Sequence, residues 1–326
     1  MAKVLHEILI KVGIKIPQGL VNPSVYNIVC DSRSIKDGDL FVGYQGENVD
    51  GGIFWKDAIS KGAVAAIIGK EAAILHPPNN SNMVIIVEKT EKLLGDLAAF
   101  FWDNPSYKVP IIGITGTNGK TTIAYLIEFL SNSIGYPSGV FGTLENRWSG
   151  YREISTLTTC FADSLQSKLA SARDSGTKLI AMEVSSHALI QNRVRGCIFA
   201  GTIFTNLTQD HLDYHLSMHD YFEAKALLFS PPLFNIDSNL AVINIDDHWG
   251  STLAKRMKDK CWRASMRIDK FDSIDVELKI KVLSQDSNGT KGIIRTPFGE
   301  GSFISPLIGD FNVMNLLQAV GALVQQ

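Results

Sequence analysis

Apolar residues recur along this chain in short runs, separated by stretches with helical spacing or by clusters of glycine, proline and asparagine. In the first third, YNIVC (26–30) and LFVGY (40–44) read as strands either side of a turn at KDGD, followed by a glycine-rich loop, GENVDGG (46–52). IFWKDAISKG (53–62) has a helical pattern closed by Gly62, a glycine suited to the left-handed position after a helix, and AVAAIIG (63–69) follows as a buried strand. HPPNNSN (76–82) is a surface loop before the strand MVIIV (83–87), and a helix around Leu93 to Phe101 ends near DNPSY, where Pro105 cannot continue it.

From residue 107 the pattern changes scale. VPIIGIT (109–115) is apolar throughout its length, as strands covered on both faces are. Ile123, Leu126, Ile127 and Leu130 then keep helical spacing up to Gly135, and further strands are expected at KLIAMEV (178–184), GTIFTN (201–206) and LAVINID (240–246). Between about Arg263 and Phe303, short alternating strands with turns at DSNGT and FGEG form a β-rich excursion. The expected fold class is therefore α/β: a small N-terminal α/β domain over 1–106, then a doubly wound, mostly parallel domain over 107–326. The chain stops at NLLQAVGALVQQ inside a helical pattern without a capping residue, which reads as the end of a fragment.

Composition removes several function classes. A formal net charge of -2 gives no basic field for nucleic acid, and no apolar run has the length or flanks for membrane insertion or a secretory signal. Four widely spaced cysteines, Cys30, Cys160, Cys197 and Cys261, form no metal-finger spacing and suit a reducing compartment, so a cytoplasmic location is expected.

Candidate chemistry starts at IIGITGTNGKTT (111–122). A glycine turn, Gly116-Thr117-Asn118-Gly119-Lys120-Thr121, between a buried strand and an amphipathic helix lets backbone N–H groups converge on phosphate oxygens, where the helix dipole also favours negative charge. Lys120 is placed to reach terminal phosphates, and the hydroxyl of Thr121 to hold Mg²⁺, with Thr122 beside it. The loop is a variant: the usual pattern aligned on Gly119 and Lys120 wants a glycine at 114, where Ile114 stands. Glu183, at the carboxyl end of the strand in IAMEVSSHALIQNRV, could cap the next helix, but beside a phosphate loop it reads as a metal ligand. In TNLTQDHLDYH (205–215), His211 lies between Asp210 and Asp213; a solvated loop and a zinc site with His215 are competing readings, and a second metal ligand is favoured for His211. Lys225 borders the apolar face of Phe222 and Leu228, and its residue pattern alone says only that its stem lies on apolar surface.

Taken in order, GITGTNGKTT, MEVSSHAL…RV, TNLTQDHLDYH, YFEAKALLF, INIDD and GDFNVMN resemble the motifs of the Mur ligase family, and DSRSIKDGDLFVGYQGENVDGG resembles the family's UDP-binding domain. Within the family the resemblance is greatest to members that add the third peptide residue to a peptidoglycan precursor. It implies an ATP- and Mg²⁺-dependent amide ligase whose small-molecule substrates are UDP-N-acetylmuramoyl-dipeptide and an amino acid, meso-diaminopimelate or L-lysine. A monomer is expected, and the net charge leaves nucleic acid out of the expected partners. Residue by residue, it assigns Asp31, Ser32 and Arg33 to the uridine diphosphate end. Thr158, Thr159, Ser186 and Arg193 are assigned to the muramoyl-peptide and its diphosphate. Asn312 and Asn315 go near adenine; Gly116 to Thr122 go to the nucleotide; Thr121, Glu183 and His211 go to magnesium; and Lys120, His211 and Lys225 go to catalysis. Lys225 is implied to be carbamylated, which turns a cation into a metal-binding carboxylate. Two departures stand out. Cys160 follows the paired threonines where the family has proline, and the family's third domain, which selects the amino acid, has no counterpart, so the chain is expected not to ligate by itself.

The reaction so implied passes the γ-phosphoryl of ATP to a carboxylate, and an amine then displaces phosphate from the acyl phosphate. Such transfer needs positioning and charge stabilisation more than covalent help. Another ligase of the superfamily should lack DSR or MEVSSHAL, and a non-catalytic nucleotide-binding paralogue should have lost Lys120, Glu183, His211 or Lys225; all are present.

Overall fold

The computed structural model describes residues 2–46, 49–79, 81–235, 241–267 and 276–326. Parts of the loops expected at 46–52 and 76–82, Leu240 of LAVINID, and 268–275 of the β-rich stretch lie outside the described residues. The chain divides into two compact units. One comprises 1–105, 160–171 and 191–197, the other 106–159, 172–190 and 198–326.

The first unit is built on four parallel strands in the order Asn27–Val29, Asp39–Val42, Ala65–Gly69 and Val84–Val87. Alternation decides which way each side chain faces. Leu40, Val42, Ala65 and Ile67 join one buried cluster with Leu5, Leu94 and Leu97, whereas Phe41, Ala66 and Ile68 join another with Trp55 and Ala58. Both faces are thus covered, which is why AVAAIIG is apolar without a break. IFWKDAISKG forms a 3₁₀ turn, Gly51–Phe54, and then the helix Trp55–Ser60; Gly62 takes φ +107° after it. The helix expected around Leu93 starts earlier, spanning Thr90–Phe101, and its Gly95 admits the backbone of Arg195 where an added Cβ would lie 2.3 Å from that residue's oxygen. Two further helices are Leu5–Lys11, which buries Leu5, Ile8 and Leu9 as the apolar face of the amphipathic start, and Lys70–Leu75, which buries only Ala72 and shows no period.

The second unit holds one sheet of eleven strands. Its order is Tyr151–Ile154, Glu145–Trp148, Ser138–Phe141, Leu179–Glu183, Ile111–Thr115, Gly201–Phe204, Ala241–Asn244, Cys261–Ser265, Leu278–Asp286, Gly289–Thr296 and Gly299–Ser305. Neighbours from Ser138–Phe141 through Leu278–Asp286 are parallel, and a hairpin pair is added antiparallel at each end. The β-rich excursion is therefore a continuation of the main sheet, with Gly289 (φ +127°) and Gly299 (φ +145°) in its two turns. Helices Lys120–Ser133 and Asp310–Val324 pack on the sheet through Ile123, Ile127, Leu317 and Ala319, so the apolar pattern at the end of the sequence does form a helix.

The order of crossovers locates the site. After Ile111–Thr115 the chain builds outward on one side through Ser138–Phe141 and Leu179–Glu183, then returns to the other side with Gly201–Phe204. The carboxyl end of Ile111–Thr115 is thus the point where strand order reverses, and open α/β sheets bind ligands in the crevice there. No helix among the described residues is long and apolar enough to cross a membrane.

Candidate functional site

At that crevice three strand ends lie side by side, with Glu183 in register with Ile114 and Phe204 with Thr115. The turn after Thr115 needs its glycines. Gly116 sits at φ +145°, where an added Cβ would lie 1.8 Å from Thr205 Oγ1, and Gly119 sits at φ +90°, where a Cβ would lie 2.5 Å from Asn315 Oδ1. The helix begins at Lys120, so its free N–H groups and positive dipole end open onto the turn.

The segment 205–208 buttresses the turn. The Thr117 N–H donates to Asn206 O (2.9 Å) and the Asn118 N–H to Asn206 Oδ1 (3.0 Å). The Thr205 hydroxyl donates to Asn118 O (2.7 Å), and the Thr208 N–H donates to Thr117 Oγ1 (3.1 Å). The expected strand GTIFTN stops at Phe204, and the polar side chains of Thr205, Asn206 and Thr208 beyond it hold the loop's shape.

Both lysines converge on the turn. The Lys120 ammonium donates to the carbonyls of Gly116 (2.9 Å) and Thr117 (2.8 Å), and that of Lys225, 1% exposed, donates to the same Gly116 oxygen (2.9 Å). Burial lowers the Lys120 pKa, partly offset by the carboxylates of Glu183 and Asp210. Lys225 is driven well below its ordinary value by burial and then by the charge of Lys120, with Asp210 opposing. Its Nζ lies 4.4 Å from the centre of the Tyr221 ring.

Glu183 is fully buried, and its carboxylate accepts from the Thr121 hydroxyl, 3.0 Å from each oxygen. Thr143, which sequence reasoning missed, adds its N–H to Oε1 (2.9 Å) and its hydroxyl to Oε2 (3.0 Å). A hydroxyl beside a carboxylate at a phosphate loop is a donor set that suits Mg²⁺, which takes one or two carboxylates and completes its shell with phosphate and water oxygens. Thr121 and Glu183 therefore fit the ion.

His211 is placed with other residues. Its ring packs edge-on to both His187 (5.0 Å between centres) and Tyr221 (6.0 Å), its Nε2 is 3.5 Å from Asp210, and its backbone is left-handed at φ +53°. Among the described residues no group of three His, Cys, Asp or Glu side chains is arranged to hold a metal. His215 is buried and shares a hydrogen bond of 2.9 Å with the Ser186 hydroxyl; burial lowers its pKa, aided by His187, Lys225 and His211.

The remaining expected residues separate. Thr158 is half-buried with its hydroxyl 3.1 Å from that of Thr143. Thr159 is buried; its hydroxyl donates to Glu183 O (2.8 Å) and accepts from the Ser185 N–H (3.3 Å), so it ties the strand end in place. Asn315 lines a cavity of about 440 Å³ beside the turn, with Asn118, Asn206, Asn244, Asp247 and Met314. Asn312 is half-buried and donates from its side chain to Ile308 O (2.9 Å). Thr122 lines a different, apolar cavity with Tyr125 and Leu126.

Arg193 belongs to the first unit, over the ring of Phe161 (4.5 Å) and donating to Gln191 Oε1 (2.8 Å). So do Asp31, Ser32 and Arg33. Asp31 caps the 3₁₀ turn Ser32–Ser34, accepting from the Arg33 N–H (3.0 Å) and from its guanidinium (2.8 Å), and this lowers the carboxyl's pKa. Cys160 lies in the first unit, its thiol pKa raised by burial.

Comparison with known proteins bears on this arrangement. Residues 114–323 match the family description "Mur ligase middle domain", and residues 24–102 match "Mur ligase family, catalytic domain". The chain is 54% identical over 327 residues to UDP-N-acetylmuramoyl-L-alanyl-D-glutamate--2,6-diaminopimelate ligase of Prochlorococcus marinus (strain MIT 9313), with 100% of the chain and 64% of the relative covered. The like-named protein of Nostoc sp. (strain PCC 7120) is 44% identical over 310 residues, with 95% and 61% covered. A solved structure of a like-named ligase superposes with a TM-score of 0.81 at 27% identity, covering 98% of this chain and 63% of that one. MurF from Acinetobacter baumannii, at 17% identity and a TM-score of 0.68 over 100% of this chain and 65% of that one, shares the fold. The chain thus spans about 64% of the length of the Prochlorococcus relative. With more than half of its residues matched by the middle-domain description, the chain belongs to the Mur ligase family.

Proposed function

We propose that this chain forms the precursor-binding and nucleotide-binding parts of an ATP-dependent ligase that adds meso-diaminopimelate to UDP-N-acetylmuramoyl-L-alanyl-D-glutamate. The observation that carries the reading is the meeting of Lys120, Thr121 and Glu183 at the switch point of the sheet, in a chain whose relatives named above are diaminopimelate ligases. Those names favour diaminopimelate over lysine.

The loop N–H groups and the start of helix Lys120–Ser133 bind the ATP phosphates. Lys120 exchanges two neutral carbonyl acceptors for charged phosphate oxygens, a stronger class of hydrogen bond. Mg²⁺ held by Thr121 and Glu183 supplies charge neutralisation on the phosphoryl oxygens. The cavity beside Asn315 takes the nucleoside, with half-buried Asn312 three residues earlier on the same helix also assigned to it. Asp31, Ser32 and Arg33 hold the uridine diphosphate end, with Arg193 on the precursor. Thr158 offers its hydroxyl to the muramoyl-peptide, while buried Thr159 and Ser186 support it from behind. His211 is retained as a metal-associated residue on the strength of its motif. The D-glutamate γ-carboxylate takes the γ-phosphoryl, the amine attacks the acyl phosphate, and phosphate leaves as the amide forms.

Lys225 is assigned to carbamylation. Its neutral amine adds to CO₂ with loss of a proton to give a carbamate, and the burial that depresses its pKa supplies that neutral form. In buffer with ¹³C-bicarbonate, the wild-type chain is expected to show a carbamate carbonyl resonance that Lys225→Ala lacks. Identical spectra would remove the assignment.

The function is tested by joining this chain to the last third of the Prochlorococcus relative. With ATP, Mg²⁺, the UDP-dipeptide and meso-diaminopimelate, the product should gain the mass of diaminopimelate less water. Preference for lysine, or no product from a folded protein that binds ATP, would contradict it.

A further inference from the structure

Glu183 raises a question of positioning. A carboxylate that holds a cation is oriented by the groups hydrogen-bonded to its oxygens, and Thr121 does not fix both oxygens of Glu183 alone. The Thr121 hydroxyl has one proton for two oxygens at equal distance (3.0 Å), and its own oxygen is the one proposed to face the cation. Thr143 meets both oxygens at once, its N–H on Oε1 (2.9 Å) and its hydroxyl on Oε2 (3.0 Å). The residue before it has to be glycine for this to happen. A Cβ on Gly142 would stand 2.2 Å from Glu183 Oε1, in the space the carboxylate occupies. Glu183 is 1% exposed, so water does not replace a missing donor there.

We infer that Thr143 is the positioning residue for the cation-binding carboxylate of Glu183, and that Gly142 is the space that lets it act. The inference rests on the magnesium reading of Thr121 and Glu183 given above. The Thr143 hydroxyl has a second acceptor in reach, Thr158 Oγ1 at 3.1 Å, but a charged acceptor is the stronger one, so its proton goes to Glu183. With one lone pair of each carboxylate oxygen held by Thr143, the lone pairs that remain point to the Thr121 side, where the cation and the phosphates are proposed to lie.

Removing an outer partner of a metal ligand commonly weakens metal affinity by roughly 10–100-fold. The test is a Mg²⁺ titration of nucleotide binding to the whole chain, followed with a fluorescent, non-hydrolysable ATP analogue, for wild type, Thr143→Val, Thr143→Ser and Glu183→Gln. Valine keeps the shape and the N–H and removes only the hydroxyl. The Mg²⁺ concentration for half-maximal tightening should rise about 10-fold in Thr143→Val. It should stay within about two-fold of wild type in Thr143→Ser, which keeps the hydroxyl, and nucleotide affinity without Mg²⁺ should be unchanged in both. Glu183→Gln should lose the Mg²⁺ dependence. If Thr143→Val keeps the wild-type Mg²⁺ curve while Glu183→Gln loses it, Thr143 does not position the carboxylate. If Thr143→Val weakens nucleotide binding equally with and without Mg²⁺, its role is only structural. If Glu183→Gln keeps the wild-type curve, the magnesium reading itself is wrong. Should the valine variant melt below the assay temperature, Thr143→Ala, whose smaller side chain leaves the packing unstrained, is held to the same curve.

Discussion

A Lys120→Ala chain is expected to bind Mg²⁺–ATP analogues at least 100-fold more weakly than wild type while melting at the same temperature or higher. Each hydrogen bond to a charged group contributes about 1.5–3 kcal/mol, and the ammonium is positioned to make two once phosphate replaces the Gly116 and Thr117 carbonyls. Stability should not fall, because burial already disfavours the charged form of this lysine, and alanine removes that cost. The turn's own shape comes from Asn206, Thr205 and Thr208, none of which depends on the lysine. Calorimetric titration together with a thermal melt checks both halves. Unchanged affinity, or a large drop in melting temperature, would mean that Lys120 is a structural cation.

Gly116→Ala is expected to be worse than the lysine change, since it damages fold and site together. At φ +145° an L side chain is strained, a cost of about 1–3 kcal/mol. The added methyl would also meet Thr205 Oγ1 at 1.8 Å and the Asn206 carbonyl at 3.0 Å. Thr205 cannot yield without breaking its bond to Asn118 O, which holds the middle of the turn. The variant should lose measurable nucleotide binding and melt several degrees lower. In Gly116→Ala/Thr205→Ser the hydroxyl remains and so does the clash, whereas Thr205→Ala removes the hydroxyl oxygen and should recover part of the melting temperature. A Gly116→Ala chain that binds nucleotide like wild type would show that the turn does not require glycine there.

Much of this site was legible because its signals are local. A buried strand, two glycines, a lysine and an amphipathic helix are contiguous, and Gly116 and Gly119 do adopt the left-handed backbone that only glycine accepts cheaply. Glu183 could be read from its place at the end of an apolar strand. The α/β alternation was legible for the same reason, since burial on both faces of a parallel sheet leaves an unbroken apolar run.

What escaped depends on contacts between distant segments. Thr143 looks like any loop threonine until the sheet sets Ser138–Phe141 beside Leu179–Glu183. Asn312 and Asn315 are three residues apart on one helix, and only packing shows that Asn315 is buried against Gly119 while Asn312 is half-buried and bonded back to Ile308. Residues 160–171 and 191–197 join the first unit although they lie deep in the second half of the chain's motifs, because Phe161 packs against Tyr44 and Arg195 against Gly95. Neither contact has a periodicity to betray it. His211 is a mixed case. Its motif marks it in the sequence, but only packing shows that its ring lies with His187, Tyr221 and Asp210, and that Tyr221 in turn lies under Lys225.

The central proposal is that the chain binds both a UDP-linked muramoyl-dipeptide and ATP, and selective binding tests it most directly. The measurement is a calorimetric titration of the chain, with Mg²⁺ and a non-hydrolysable ATP analogue present, by UDP-N-acetylmuramoyl-L-alanyl-D-glutamate, by the same precursor lacking D-glutamate, and by the tripeptide precursor. The account predicts one-to-one binding that is tightest for the dipeptide form. Equal binding of all three, or a preference for the tripeptide form, would contradict it.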